Sequence, residues 1–222
     1  MMGQIYVWDR FVRIFHWLLV AFFCISYLTG EEEHWIHTYS GYAIFTLISL
    51  RVIWGFIGSK HARFADFIYS PGSIVRYLAS LTTASPKRYR GHNPAGGLMV
   101  IALLLALFAT TLSGMKLYAV EEGKGPFAGE ITVTQRAYAD SDGDDDDEDY
   151  ADKDYKDSHE KGYEEHEDED AEEAFWEDTH EASVNVLLLL VATHIAGVLF
   201  SSWRHKENLV KAMITGNKKS SD

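Results

Sequence analysis

Four stretches of this chain are long and apolar enough to cross a lipid bilayer, and nothing else in the sequence constrains the fold as strongly. They run approximately from Phe11 to Thr29, Trp35 to Ile57, Pro94 to Leu117 and His180 to Trp203. A span needs about 20 mostly apolar residues to cover roughly 30 Å of hydrocarbon. Backbone in that medium satisfies its polar groups only as helix or closed barrel, and runs of this length predict helices. The fold class is therefore all-α: an integral membrane four-helix bundle. The first run follows Arg10 and Arg13 as a signal peptide would, but no small-residue cleavage site comes after it and Glu31, Glu32 and Glu33 do, so it reads as a retained helix.

Local signals sharpen the boundaries. Asn93 suits an N-cap and Pro94 the first helical position, so the third helix begins there. Asp178 or Thr179 would cap the fourth. The chain thus divides into residues 1–120, carrying three helices and a loop at 58–93, an acidic loop at 121–179, and a last helix with its tail at 180–222. Within the 58–93 loop, SPGSIVRYLASL (Ser70 to Leu81) predicts a short interfacial helix, and ENLVKAMITGNKK predicts another in the tail, ended by Gly216.

Charge orients the bundle. The net charge is −13, but residues 121–181 hold 26 Asp and Glu against 5 Lys and Arg, a local −21 that leaves +8 on the remainder. Lys and Arg cluster before the first helix, between the second and third, and after the fourth, which by the positive-inside rule puts both termini in the cytoplasm. The expected location is a bacterial inner membrane, with the acidic loop outside and no nucleic-acid partner. Residues 138–174 have almost no aliphatic side chains to offset their ordering entropy, and predict disorder.

The single Cys24 excludes an intramolecular disulfide, a CxxC metal knuckle and a CxxCH site, so any haem is held non-covalently. Of ten histidines, His34, His61, His159, His166 and His205 fall in polar or charged loops and read as solvent-exposed. His16, His37, His180 and His194 lie within or at the ends of apolar helices, where an ionisable side chain is costly and is usually partnered. His180 and His194 are fourteen residues apart, about 21 Å of helix rise and within about 40° of four full turns, so they face one way at opposite depths. Helix direction then pairs His16 with His194 in the inner half and His37 with His180 at the outer surface.

Two imidazoles on opposing helices leave a flat space that suits a porphyrin, with small residues (Ser40, Gly41, Ala43; Ala192, Ala196, Gly197) giving a macrocycle room. The competing account of such residues is hydrogen bonding between helices and close helix packing.

The motifs RIFHW, HTYSGY followed by RVIWG, GHNPAGGLM and THEASVNVLLLLVATHIAG together resemble the bacterial cytochrome b561 and Ni,Fe-hydrogenase cytochrome b subunit family, across all four helices but outside residues 121–177. The resemblance implies two b haems ligated by His16, His37, His180 and His194. It also implies an electron-transfer subunit with quinol oxidoreductase activity, moving electrons between membrane quinone and an extracytoplasmic redox protein, such as a basic cytochrome c or a hydrogenase-like partner. Related formate dehydrogenase membrane subunits hold quinone beside an Asn and a Gly opening the third helix, which maps here to Asn93, Gly96 and Gly97; helix capping and tight packing explain the same residues. The alternative reading of the histidines is a metal or proton transporter whose acidic loop gathers cations. Oxidation of superoxide at the outer haem is disfavoured, since the acidic loop would repel the anion.

Overall fold

The computed structural model describes residues 4–30, 35–83, 89–129 and 154–219. Among them are α1 (Arg10–Leu28), α2 (Trp35–Ile57), α3 (Phe64–Phe67), α4 (Pro71–Ser80), α5 (Pro94–Glu122), α6 (Asp154–His205) and α7 (Leu209–Thr215), with a two-stranded ribbon of β1 (Gln4–Tyr6) and β2 (Asn217–Lys219). Four helices, Arg10–Leu28, Trp35–Ile57, Pro94–Glu122 and the Asp170–His205 part of α6, are long and apolar enough to span a membrane.

α1 has neither Pro nor Gly, and the Asp9 carboxylate caps it by accepting the Val12 N–H at 2.8 Å. The same carboxylate accepts the Trp54 indole N–H at 3.2 Å and bonds the Ser59 hydroxyl. Burial raises the Asp9 pKa, yet these donors, the Val12 N–H and the Arg51 charge together hold it below the ordinary value. One acidic residue therefore ties the start of α1 to the end of α2.

The chain forms two compact units, Met1–Ala109 with Asn185–Asp222, and Thr110–Val184. The core of the first is Ile44, Ile48, Leu107 and Leu187, one cluster from α2, α5 and α6, with Leu19, Phe22 and Phe23 of α1 against it. Most other large apolar side chains point outward: Leu28, Phe56, Ile57, Leu105 and Leu189 are each at least two-thirds exposed. A water-soluble protein would not leave such continuous apolar surface open, whereas lipid covers it at no cost. In the second unit Ser113, Met115 and Ala119 of α5 are buried.

Two features depart from the sequence expectations. α6 begins at Asp154, so the part of the supposedly disordered segment from 154 to 174 is helix, and the fourth helix starts well before Asp178. Adding residues to an existing helix avoids the cost of nucleation, so a long membrane helix extends through polar sequence that would not form a helix alone. Residues 138–153 lie outside the described residues, as do the EEE turn with His34 and the side chains of His159 and His166.

The second departure is the antiparallel β1–β2 ribbon joining the chain ends, with Ile5 opposite Lys218. Gly216, the expected stop of α7, has φ 86° and donates its N–H to Ala212 O. A Cβ there would lie 2.6 Å from the Tyr6 ring and 2.8 Å from Trp8 O, so conformation and space both require glycine.

Candidate functional site

His16 sits mid-face on α1, one residue after the buried Phe15, with Trp17 edge-on to its ring at 5.3 Å. Its Nδ1 is buried and has no hydrogen-bond partner. His194 of α6 lies close enough to act electrostatically on His16. Both side chains are half-buried. Along α6 from His194 there is room, since a Cβ added at Gly197 would meet nothing within 4 Å.

His37, in the first turn of α2, is fixed by the last turn of α1. Its Nδ1 lies 2.9 Å from Ser26 O and 3.4 Å from Ser26 Oγ. A carbonyl only accepts, so Nδ1 carries the proton and the ring presents its Nε2 lone pair elsewhere. Gly30 lies beside the ring: a Cβ there would be in ordinary contact, 3.5 Å from Cε1 and Nδ1. Ser40 donates to His37 O at 2.8 Å.

His180, in the other unit, obeys the same rule with a different partner. Its Nδ1 is 3.1 Å from Thr110 O and 3.1 Å from Ser113 Oγ, both on α5. Again the carbonyl makes Nδ1 the donor. Gly114 of α5 faces the ring closely: a Cβ would come within 2.8 Å of Cε1. A backbone carbonyl holding Nδ1–H is the outer-shell arrangement that orients metal-ligating histidines, because it fixes the tautomer and raises the basicity of Nε2. The donor set therefore fits axial ligation of haem iron.

The residues at the start of α5 have their own occupations. Asn93 Oδ1 accepts the Gly96 N–H at 2.7 Å, and Asn93 O accepts the Gly97 N–H at 2.8 Å. Gly97 packs so tightly that a Cβ would lie 2.2 Å from Phe67 O. Asn93 thus caps α5 through Gly96 and Gly97, and Gly97 packs against Phe67.

The sequence did not single out Ser26, Thr110, Ser113 and Gly114, whose only signal was a small or hydroxyl-bearing residue within an apolar run. Nor is His61 the freely exposed loop residue expected: its Nδ1 lies 2.8 Å from Asp66 Oδ2 with only 24% of the side chain exposed. His92 went unassigned, yet its Nδ1 is buried without a partner between Trp8 and Phe67, whose ring centroids lie 4.6 and 4.7 Å away.

The profile of the Prokaryotic cytochrome b561 family matches residues 7–216. The chain belongs to the prokaryotic cytochrome b561 family. It is 29% identical over 152 residues to a "Probable Ni/Fe-hydrogenase B-type cytochrome subunit" of Rhizobium leguminosarum bv. viciae, covering 55% of this chain and 62% of that one. A protein of the same description from Rhodobacter capsulatus is 26% identical over 153 residues, covering 55% and 58%. The match thus spans about three-fifths of the length of these curated relatives. No solved structure matches the chain. Membership of a b-type cytochrome family favours the cytochrome reading of the chain over the transporter reading.

Proposed function

We propose that this b561-family protein carries two non-covalent b haems and passes electrons between the quinone pool and a redox protein on the outer face. His16 and His194 would ligate the inner haem, His37 and His180 the outer one. When bound, haem b supplies a one-electron iron couple within the hydrocarbon. Everything else is the work of the chain: it orients the ligands, excludes water and provides an exit for protons.

The observation that carries the reading is the shared device at His37 and His180. Each Nδ1 donates to a main-chain carbonyl on a neighbouring helix, Ser26 O or Thr110 O, which leaves Nε2 as the ligand atom in both rings. The buried, unpartnered Nδ1 of His16 and the electrostatic contact from His194 support a second pair. The charge distribution of the loops supports placing the Arg10 end of α1 at the cytoplasmic face of a bacterial inner membrane. Quinone would exchange electrons near that face, beside Asn93, Gly96 and Gly97. The names of the relatives favour a hydrogenase-like outer partner, and the acidic loop favours a basic one.

The test replaces His16, His37, His180 and His194 singly with Ala and measures haem per protein with the reduced absorption spectrum. Each change should lower the ratio from two toward one. Four variants that all keep two low-spin haems would overturn the ligand assignment.

A further inference from the structure

We propose that His61, oriented by Asp66, passes protons between the quinone headgroup and cytoplasmic water. This rests on the quinone reading above and adds to it the residues that handle the protons. Interconverting a quinone and its quinol moves two electrons and two protons; the electrons belong to the haem iron couple, and both protons need a route to water. A route needs a basic atom that faces the site and also reaches solvent.

His61 offers one. Its Nδ1 lies 2.8 Å from Asp66 Oδ2, and an ionised carboxylate only accepts, so the proton sits on Nδ1 and Nε2 is the base. Side-chain exposures of 24% and 28% let this pair meet water without leaving it loose. The ring also lies against the turn that opens α5: a Cβ at Gly91 would be 3.1 Å from His61 Nδ1, two residues before Asn93.

His92 stands between that pair and the helix start. Burial lowers its pKa to about 3, and the charges of Arg51 and Lys218 act in the same direction. It stays neutral, and its buried Nδ1 has no hydrogen-bond partner in the protein, so it can bond a ligand but carries no proton to water. His61 is the imidazole of the pair that reaches solvent. Among the described residues, the groups that bear on this cluster include Asp66 and Tyr69 in the same loop, His92 before α5, Lys218 of β2, and Arg51 of α2, whose Nη2 donates to Ala62 O at 3.1 Å. A loop clasp alone would explain the His61–Asp66 bond, and the experiment separates that role from proton transfer.

Stopped-flow reduction of the haems by menadiol would be followed from about pH 6 to about pH 9 in the parent, His61→Ala, His61→Gln and Asp66→Asn. The His61 variants should keep the parent haem spectrum and slow at least roughly tenfold near neutral pH, within the range for loss of a proton-transfer group. Imidazole in the buffer should restore His61→Ala, and Asp66→Asn should shift the pH profile. Rates and profiles matching the parent, or no rescue by imidazole, would overturn the inference. Menadiol failing to reduce the parent at any pH would instead overturn the quinone reading, and this inference with it. Nitrogen NMR of the labelled parent is a readout independent of turnover: the neutral His61 ring should carry its proton on Nδ1, and a neutral ring with its proton on Nε2 would refute the geometry.

Discussion

At the scale of single residues, glycine and serine decide what the histidines can do. Where a histidine ligates a metal, an acceptor on its other nitrogen fixes the tautomer and the plane of the ring. Ser26 O and Thr110 O supply the hold, and Gly114 supplies the space beside His180. Gly114→Ala puts a methyl group 2.8 Å from Cε1 of that ring, and overpacking of this kind typically costs about 1–3 kcal/mol. The expected result is selective loss or altered spectrum of one haem, the one bound through His180, with the other unchanged. Two haems at full occupancy with the parent spectrum would show that the ring has room to move. The relevant glycine is visible in the sequence as one of a pair of small residues in LSGM, but its partner lies in another helix, so the sequence could not say what the space was for.

At the scale of elements, a junction forms where β2, the end of α2, the loop around Phe67 and the start of α5 meet at His92. Tyr69 Oη donates to His92 O at 3.2 Å, and Lys218 Nζ donates to Tyr89 O at 3.2 Å. The neutral, buried imidazole gives this junction a pH dependence of known sign. Unfolded His92 would take up a proton near its ordinary value of about 6.5, while the folded form refuses it until about pH 3. Stability from this group is intact above about 6.5 and declines as the pH falls toward 3, by an amount of the order of a few kcal/mol at the limit. His92→Phe should therefore flatten the acid limb of a melting-temperature profile taken in detergent between about pH 7 and about pH 4. Parallel profiles for variant and parent would mean that His92 is not the group responsible.

At the scale of the whole molecule, the dominant fact is the separation of charge: −21 within residues 121–181 against +8 on the rest. Exposed like charges act over about a Debye length, roughly 10 Å at 0.1 M salt, and raise association rates more than final affinity. Electron exchange with a cationic cytochrome c should thus fall steeply as salt increases. Replacing residues 138–174 by a short Gly and Ser linker should abolish that dependence while leaving the haem content unchanged. An unchanged rate at low salt would reduce the segment to a spacer.

What the sequence determined by itself was everything encoded over a few residues. The spans follow from hydropathy, the bounds of α4 and α7 from Pro71 and Gly216, and the start of α5 from Asn93 and Pro94. Tertiary structure alone decided the rest. A ribbon between Ile5 and Lys218 joins opposite ends of the chain, and no local pattern announces it. Asn93 and Gly97 read in sequence as ligand contacts or as cap and packing, and the contact of Gly97 with Phe67 O comes from a distant loop. His61 and His92 look alike in sequence, each a histidine in a basic loop. One is about a quarter exposed and bonded to a nearby carboxylate, and the other is enclosed by aromatic rings from segments far away along the chain.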